Sequence, residues 1–236
     1  MCLILLAWQA HPDYPLVVAA NRDEFFARPA APAGWWQDAP DVFAGRDLEA
    51  GGTWLGLSRA GRFAGLTNFR DPGRNRVGTP SRGALVADFL GSTESSAEAL
   101  ARLQLEGPRY NAFNLFVSDG DTLGIYESES GAARLLEPGV HALSNHLLDT
   151  PWPKVRAGKA RLFRALQALP DDTPLVELLR DDRPARALKQ VARVDRIAKG
   201  IEDGDAWLEL LRLGMGLGAG SAGRNARNAG GRPGLR

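Results

Sequence analysis

Cysteine and histidine are both scarce in this sequence. The chain contains one cysteine, Cys2, which excludes an internal disulfide framework and predicts a reducing compartment. The three histidines lack the spacing of a zinc site, and no cysteine cluster accompanies them, so we expect no metal centre of that type. Each histidine fits an ordinary turn or surface role. Axial ligation of haem iron by Cys2, His141 or His146 stays open, because it needs only one or two side chains.

An excess of one charge and a long hydrophobic run are also lacking. The net charge of +1 argues against a nucleic-acid-binding surface over the whole protein. The apolar run at residues 3–8 is too short to cross a bilayer and has neither a basic leader nor an Ala-x-Ala cleavage site. We therefore expect no membrane span, no signal peptide and a cytoplasmic location.

What is present is enough apolar sequence for a substantial core. With 44% hydrophobic residues among 236, the chain can form one large domain or two small ones, and we place a single domain at residues 1–213. Residues 214–236 are mostly Gly, Ala, Arg and Asn and predict a disordered tail. Hydrophobic periodicity predicts an α+β fold, with two antiparallel sheets and helices outside them. The predicted strands are 3–8, 16–20, 53–58, 62–68, 110–117, 122–127, 132–136 and 140–143; the predicted helices are 81–90, 94–104, 154–169, 175–179, 187–198 and 205–213. In the helix 154–169, we expect the lysines and arginines to lie on a solvated face and the core face to consist of Val155, Leu162, Phe163, Leu166 and Leu169.

The N-terminal strands predict a hairpin that organises the rest of the chain. If Trp8 lies opposite Leu16, facing residue numbers sum to 24, and Cys2 faces Arg22 with Asn21 and Asp23 beside it. The small side chain of Cys2 favours removal of the initiator methionine, which would leave a thiol and a free amine on one residue.

This set of groups has a chemical use. The α-amine can take the thiol proton, and Arg22 would favour the thiolate. Asp23 can hold the amine or the guanidinium, while Asn21 can donate to an oxyanion. The alternative is that Cys2 is a small residue at the start of a buried strand, followed by a solvated, salt-bridged loop.

A second predicted hairpin brings further polar groups to one sheet end. Pairing Ser58 with Arg62 puts Gly52 near Asn68. The Gly51-Gly52 backbone suits an anion or oxyanion site, but equally an ordinary β-bulge. The following basic turn contains Arg70, and it can bind a carboxylate or phosphate or simply be solvated. Residues 27–41, with two tryptophans, predict an ordered surface loop that lines an apolar pocket mouth or packs over a core edge.

Several motifs together resemble the NRDE family, also called the transport-and-Golgi-organisation family. They occur in the family's order over about residues 2–165. They are Asn21-Arg22-Asp23-Glu24, Gly51-Gly52-Thr53-Trp54-Leu55-Gly56, Gly65-Leu66-Thr67-Asn68-Phe69-Arg70, Tyr110-Asn111-Ala112-Phe113-Asn114-Leu115 and Leu143-Ser144-Asn145-His146.

That family in turn resembles N-terminal-nucleophile hydrolases of the bile-salt hydrolase and penicillin V acylase type, which implies a four-layer α/β/β/α fold. The resemblance implies that Cys2 is the nucleophile, Asp23 orients the amino-terminal group, and Asn68 and Asn145 are catalytic asparagines. Candidate binding residues from the same motifs are Asn21, Arg22, Glu24, Gly52, Trp54 and Arg70. The hydrolases have an arginine where this chain has Ala20.

The resemblance also fails at the C-terminal end. Family members normally end with a strand around Tyr-Gly-Thr-Arg-Ser-Thr, which this chain lacks. One hypothesis is a frameshifted or degenerate terminus, which would leave a sheet edge uncovered and remove an active-site arginine.

Three functions remain open. The first is hydrolysis of a small amide C–N bond through a Cys2 thioester, which requires no cofactor. The second is non-catalytic carriage of haem or of a lipid or acyl-CoA, to which the family has been linked. The third is a trafficking-associated domain with a vestigial cleft.

Overall fold

The residues that the structure describes form two antiparallel sheets and four α-helices. The structure, a computed structural model, describes residues 2–24, 27–70, 73 and 75–180, and the backbone of residues 209–212. The strands are β1 (Leu3–Trp8), β2 (Leu16–Asn21), β3 (Ala30–Trp35), β4 (Val42–Asp47), β5 (Leu55–Ser58), β6 (Phe63–Asn68), β7 (Phe113–Ser118), β8 (Leu123–Glu127), β9 (Ala132–Leu135), β10 (Gly139–Leu143) and β11 (Glu209–Arg212). The helices are α1 (Arg82–Gly91), α2 (Ser96–Glu106), α3 (Pro153–Leu166) and α4 (Thr173–Arg180).

The smaller sheet has the strand order β10-β1-β2-β11, and the larger sheet runs from β3 to β9 in sequence order. Side chains alternate between the two faces of a strand, so β1 contributes to two cores. Ile4 and Leu6 pack between the two sheets, while Leu5 and Ala7 pack against α3 and α4. Because both faces of β1 are covered, its sequence is a continuous apolar run rather than an alternating one.

Helices α1 and α2 cover the outer face of the larger sheet, where Phe89 and Leu103 join a core with Phe113 and Leu115. Together with α3 and α4 on the smaller sheet, they complete four layers in the order α/β/β/α. The predicted fold class is therefore confirmed.

Both predicted hairpin registers are also confirmed. In the first, Trp8 pairs with Leu16, and the register continues to Leu3 opposite Asn21. In the second, Leu57 pairs with Phe63. These registers carry Cys2 and Asn68 to the same end of the two sheets.

Three predictions of local structure are wrong. Residues 30–35 form strand β3 instead of a loop; Pro32 is tolerated because β3 is the edge of the larger sheet and its pairing with β4 is irregular there. Phe163, expected in the core, is 61% exposed on the outer side of α3. The helix expected over 205–213 is replaced at Glu209–Arg212 by β11, which pairs antiparallel with β2.

A missing final strand was expected to leave a sheet edge uncovered; in the structure, β11 covers the edge of the smaller sheet at β2. The predicted helix at 187–198 and the predicted tail at 214–236 lie outside the described residues. Among the described residues, no helix is both long and apolar enough to cross a membrane.

The N-terminus of α1 is held against residues 52–53 by a close approach of two glycines. The Thr53 amide donates to the Gly83 carbonyl at 3.2 Å. A Cβ added at Gly52 would lie 2.5 Å from the carbonyl carbon of Gly83. This contact is between backbones, so neither partner can move aside by changing a rotamer.

We expect Gly52→Ala to lower the free energy of unfolding by about 1–3 kcal/mol, because the added methyl group overpacks a backbone contact. Urea denaturation measures the change. Gly91→Ala in the last turn of α1 is the matched control, since a Cβ there meets nothing within 4 Å. If Gly52→Ala is as stable as wild type, the backbones at Gly52 and Gly83 do not approach each other this closely.

Candidate functional site

A cavity of about 490 Å³ opens where Cys2, the end of β6 and the start of α1 meet. Its wall contains many charged side chains together with apolar ones. Seven charged side chains line it, namely Arg22, Asp23, Glu24, Arg28, Arg46, Asp47 and Arg82. Cys2, Gly52, Trp54 and Asn68 also line it, so seven of the ten predicted site residues are brought together here.

Hydrogen bonds hold both the side chain and the backbone of Cys2. The Asp23 amide donates to the Cys2 sulfur at 3.4 Å. The buried Ser144 hydroxyl donates to the Cys2 carbonyl at 2.8 Å. The thiol is thus presented at the cavity from a rigid strand end.

Burial raises the pKa of the Cys2 thiol above its ordinary value. The positive charges of the amino terminus, Arg22 and Lys154 act in the opposite direction, and Glu24 adds to the increase. Because burial dominates, the thiol is protonated at neutral pH. Nucleophilic chemistry at Cys2 therefore needs a proton acceptor nearby.

Lys154 is the residue beside Cys2 that sequence reasoning missed. It was expected on the solvated face of its helix, but its Nζ lies 3.5 Å from the Cys2 carbonyl oxygen. Burial is the main reason that its pKa falls to about 8; the charge of Cys2 acts to raise the pKa and that of Arg70 to lower it. A lysine in the first turn of a helix opposes the helix dipole, and this unusual position was the available clue.

Most of the arginines in the wall are paired with carboxylates. Arg22 pairs with Glu24 at 3.0 Å, and Arg28 pairs with Asp47 at 2.8 Å. Arg82 instead donates to the Ala112 carbonyl at 3.1 Å, and burial lowers its pKa. Arg28 belongs to the segment predicted as a loop, and Arg82 opens α1, so neither was singled out from the sequence.

The two predicted catalytic asparagines take different positions. Asn68 lines the cavity, whereas Asn145 lies outside the lining and donates from Nδ2 to the Asn68 carbonyl at 2.9 Å. The Asn145 carbonyl accepts from the Arg70 amide at 2.9 Å. In this geometry Asn145 fixes the backbone that carries Asn68.

The remaining predicted residues lie away from the cavity wall. Asn21 donates to the Leu179 carbonyl at 2.9 Å and so ties β2 to α4. The Arg70 side chain is exposed outside the lining. The two tryptophans at 35 and 36 stack beneath Arg59 and Arg46, respectively, and neither lines the cavity.

The histidines also lie outside the cavity lining. His141 contacts Asp149 and the Glu137 carbonyl through its two ring nitrogens. His146 contacts Thr150 and lies between the rings of Phe69 and Trp152. Within the described part of the chain, no group of three or more His, Cys, Asp or Glu side chains is placed to hold a metal ion.

The fold and the cavity define a class: a four-layer α/β/β/α sandwich whose single cysteine forms part of a polar cavity wall. A family model described as Transport and Golgi organisation 2 matches residues 1–202. The chain therefore belongs to that family, and the resemblance carried by the sequence motifs is confirmed.

Known relatives agree with the family match. The chain is 40% identical over 195 residues to the Transport and Golgi organization protein 2 homolog of Bos taurus, covering 76% of this chain and 70% of that protein. It is 38% identical to the Mus musculus homolog with the same coverage. Among solved structures, it is similar to the Caenorhabditis elegans N-acylethanolamine-hydrolyzing acid amidase ortholog, with 12% identity, a TM-score of 0.48, and coverage of 79% of this chain and 88% of that one.

The pKa of Lys154 has a consequence for stability. In the folded protein it is about 8, below the ordinary 10.5, so the buried ammonium destabilises the fold fully below pH 8. As pH rises from 8 to 10.5, the unfolded chain keeps its proton while the folded chain has lost it, and the penalty disappears. We expect Lys154→Met to be more stable than wild type by about 1–2 kcal/mol at pH 7, after allowance for solvent screening, and to lose that advantage above about pH 10.5.

Urea denaturation at several pH values measures this difference. Lys159→Met is the matched control on the same helix: it removes the 2.8 Å ion pair with Asp149 and should lower stability at pH 7. If Lys154→Met is less stable than wild type at pH 7, the buried ammonium does not destabilise the fold and this prediction is wrong.

Proposed function

We propose that this protein cleaves the C–N bond of a small amide, with Cys2 as the nucleophile. The observation that carries the proposal is the position of the only thiol of the chain in the wall of a 490 Å³ polar cavity, with the Asp23 amide on its sulfur. The motif resemblance to N-terminal-nucleophile hydrolases supports the same role for Cys2.

In the first half of the reaction, the Cys2 sulfur attacks the amide carbonyl carbon and loses its proton to a base. The side-chain amide of Asn68, in the same wall, donates to the oxyanion. Collapse of the intermediate breaks the C–N bond, and the leaving amine takes the proton from the base. A thioester with Cys2 remains.

In the second half, water attacks the thioester carbonyl. Its proton passes through the base to the departing sulfur, the C–S bond breaks, and a carboxylic acid and the Cys2 thiol are released. Atoms balance with water as the only co-reactant, so neither a metal nor a redox cofactor enters the scheme.

The proposal includes removal of Met1, which gives Cys2 a free α-amine next to its thiol. That amine is a suitable base because its ordinary pKa is near 7.7–8.0. Asp23 lines the same cavity as Cys2, and we propose that its carboxylate orients the amine.

A carrier of haem or of an acyl lipid is the second candidate, because a cysteine in a cavity wall can ligate haem iron. The lining favours the first proposal. Seven charged side chains suit a small polar substrate better than the apolar body of a porphyrin or a fatty acyl chain.

Cys2→Ser should reduce amide hydrolysis by about a thousandfold or more, because an alcohol is a far weaker nucleophile at this site. Asn68→Ala should reduce kcat by about 100-fold through loss of an oxyanion donor. Hydrolysis of a panel of short N-acyl amides, followed by release of the amine, measures both. The exposed Asn75, outside the lining, provides the control variant Asn75→Ala with unchanged rates.

Haem and acyl-CoA titrations on the same samples separate the two functions. Turnover that disappears in Cys2→Ser supports the hydrolase. If the wild-type protein hydrolyses none of the amides but binds haem or acyl-CoA saturably, the carrier function is supported and the hydrolase function is contradicted.

A further inference from the structure

We propose that Lys154 accepts the proton of the Cys2 thiol, so that Cys2 and Lys154 form a nucleophile–base pair. Its catalytic meaning rests on the proposed function, but proton exchange between the two residues does not. The pair gives Cys2 a base whether or not Met1 is removed.

Geometry places the Lys154 amine at Cys2. Its Nζ lies 3.5 Å from the Cys2 carbonyl oxygen and 5.4 Å from the centroid of the Trp152 ring. The carbonyl carbon and the Cβ of Cys2 share one Cα, so a rotamer change of the flexible lysine side chain would bring Nζ from the carbonyl oxygen toward the sulfur. Lys154 lies outside the cavity lining, so it approaches Cys2 without occupying the space for a substrate.

Burial favours the neutral form of Lys154. Among the described residues, no carboxylate forms an ion pair with it, whereas Lys159, five residues later on the same helix, pairs with Asp149 at 2.8 Å. The charge of Cys2 favours the ammonium, and the charge of Arg70 disfavours it. Its position in the first turn of α3 adds the positive end of the helix dipole.

The charges around Cys2 favour a thiolate once the proton has an acceptor. The amino terminus and Arg22 stabilise the anion, while Glu24 opposes it. A lysine with a pKa of about 8 is partly free base at neutral pH and can accept the proton. The resulting ammonium then stabilises the thiolate that it created.

The proton balance is complete within the pair. The S–H bond breaks and an N–H bond forms on Lys154 as the sulfur attacks. When the C–N bond of the substrate breaks, Lys154 returns that proton to the leaving nitrogen and is again a free amine. Lys154 then performs the same exchange with the attacking water.

Alkylation of Cys2 tests the pair without any substrate. The chain has one cysteine, so the mass added by iodoacetamide reports on Cys2 alone. The rate constant, measured from pH 6 to pH 10 by intact-mass spectrometry, follows the thiolate fraction. We expect Lys154→Met to react about tenfold more slowly than wild type at pH 8 and to show a profile moved to higher pH by about one unit.

Lys159→Met is the matched control, and its alkylation profile should overlay that of wild type. Thermal unfolding checks that every variant is folded. If the alkylation profile of Lys154→Met overlays that of wild type, the proposal that Cys2 and Lys154 form a nucleophile–base pair is wrong.

Lys154→Arg separates a proton acceptor from a mere positive charge, because a guanidinium keeps its charge and does not accept a proton. We expect this variant to retain the alkylation rate at pH 8 within about threefold and to lose amide turnover by at least about 100-fold. Full turnover in Lys154→Arg would overturn the role of Lys154 as a base.

The two proposals fail in different ways. If wild type cleaves no amide while its alkylation depends on Lys154, the hydrolase is wrong and the coupling between Cys2 and Lys154 stands. If wild type and Lys154→Met cleave amides at equal rates, the hydrolase stands and the pair is wrong.

Discussion

The burial of β1 on both faces is the constraint on which the rest of the structure depends. Strand β1 contributes Ile4 and Leu6 to the core between the sheets, and Leu5 and Ala7 to the core beneath α3 and α4. A register slip of one residue would exchange these two sets, so the pairing with β2 and β10 is tightly determined. Cys2 directly precedes this strand, and its position is therefore as fixed as the core itself.

That position buries the thiol of Cys2 next to the amine of Lys154, and burial shifts the pKa of both groups. Burial keeps the Cys2 thiol protonated, and it lowers the pKa of Lys154 so that a fraction of the Lys154 side chains is a free amine at neutral pH. A proton transfer between them would turn two desolvated neutral groups into an ion pair. In the proposed reaction, the seven charged side chains of the cavity wall would surround the substrate with polar groups.

Local patterns predicted the parts of the fold that depend on neighbouring residues. The position of Cys2 was predicted by counting facing pairs along the first hairpin from Trp8–Leu16. The position of Asn68 was predicted in the same way from Ser58–Arg62. Both predictions work because the turn of a hairpin sets its register. Strand β3 was missed because Pro32 and Gly34 are atypical of strands, and only its edge position makes them acceptable. Lys154 was missed because its burial results from a contact 152 residues along the chain, which helical periodicity does not reveal.

The central claim is that Cys2 is a competent nucleophile in this cavity, and covalent trapping tests it most directly. The purified protein would be exposed briefly to an activated acyl ester and examined by intact-mass and peptide mass spectrometry. The account predicts one acyl group, located on Cys2, that hydroxylamine removes as expected for a thioester and that Cys2→Ser does not acquire. An unmodified Cys2 in a folded protein, or acylation found only on lysines, would contradict it.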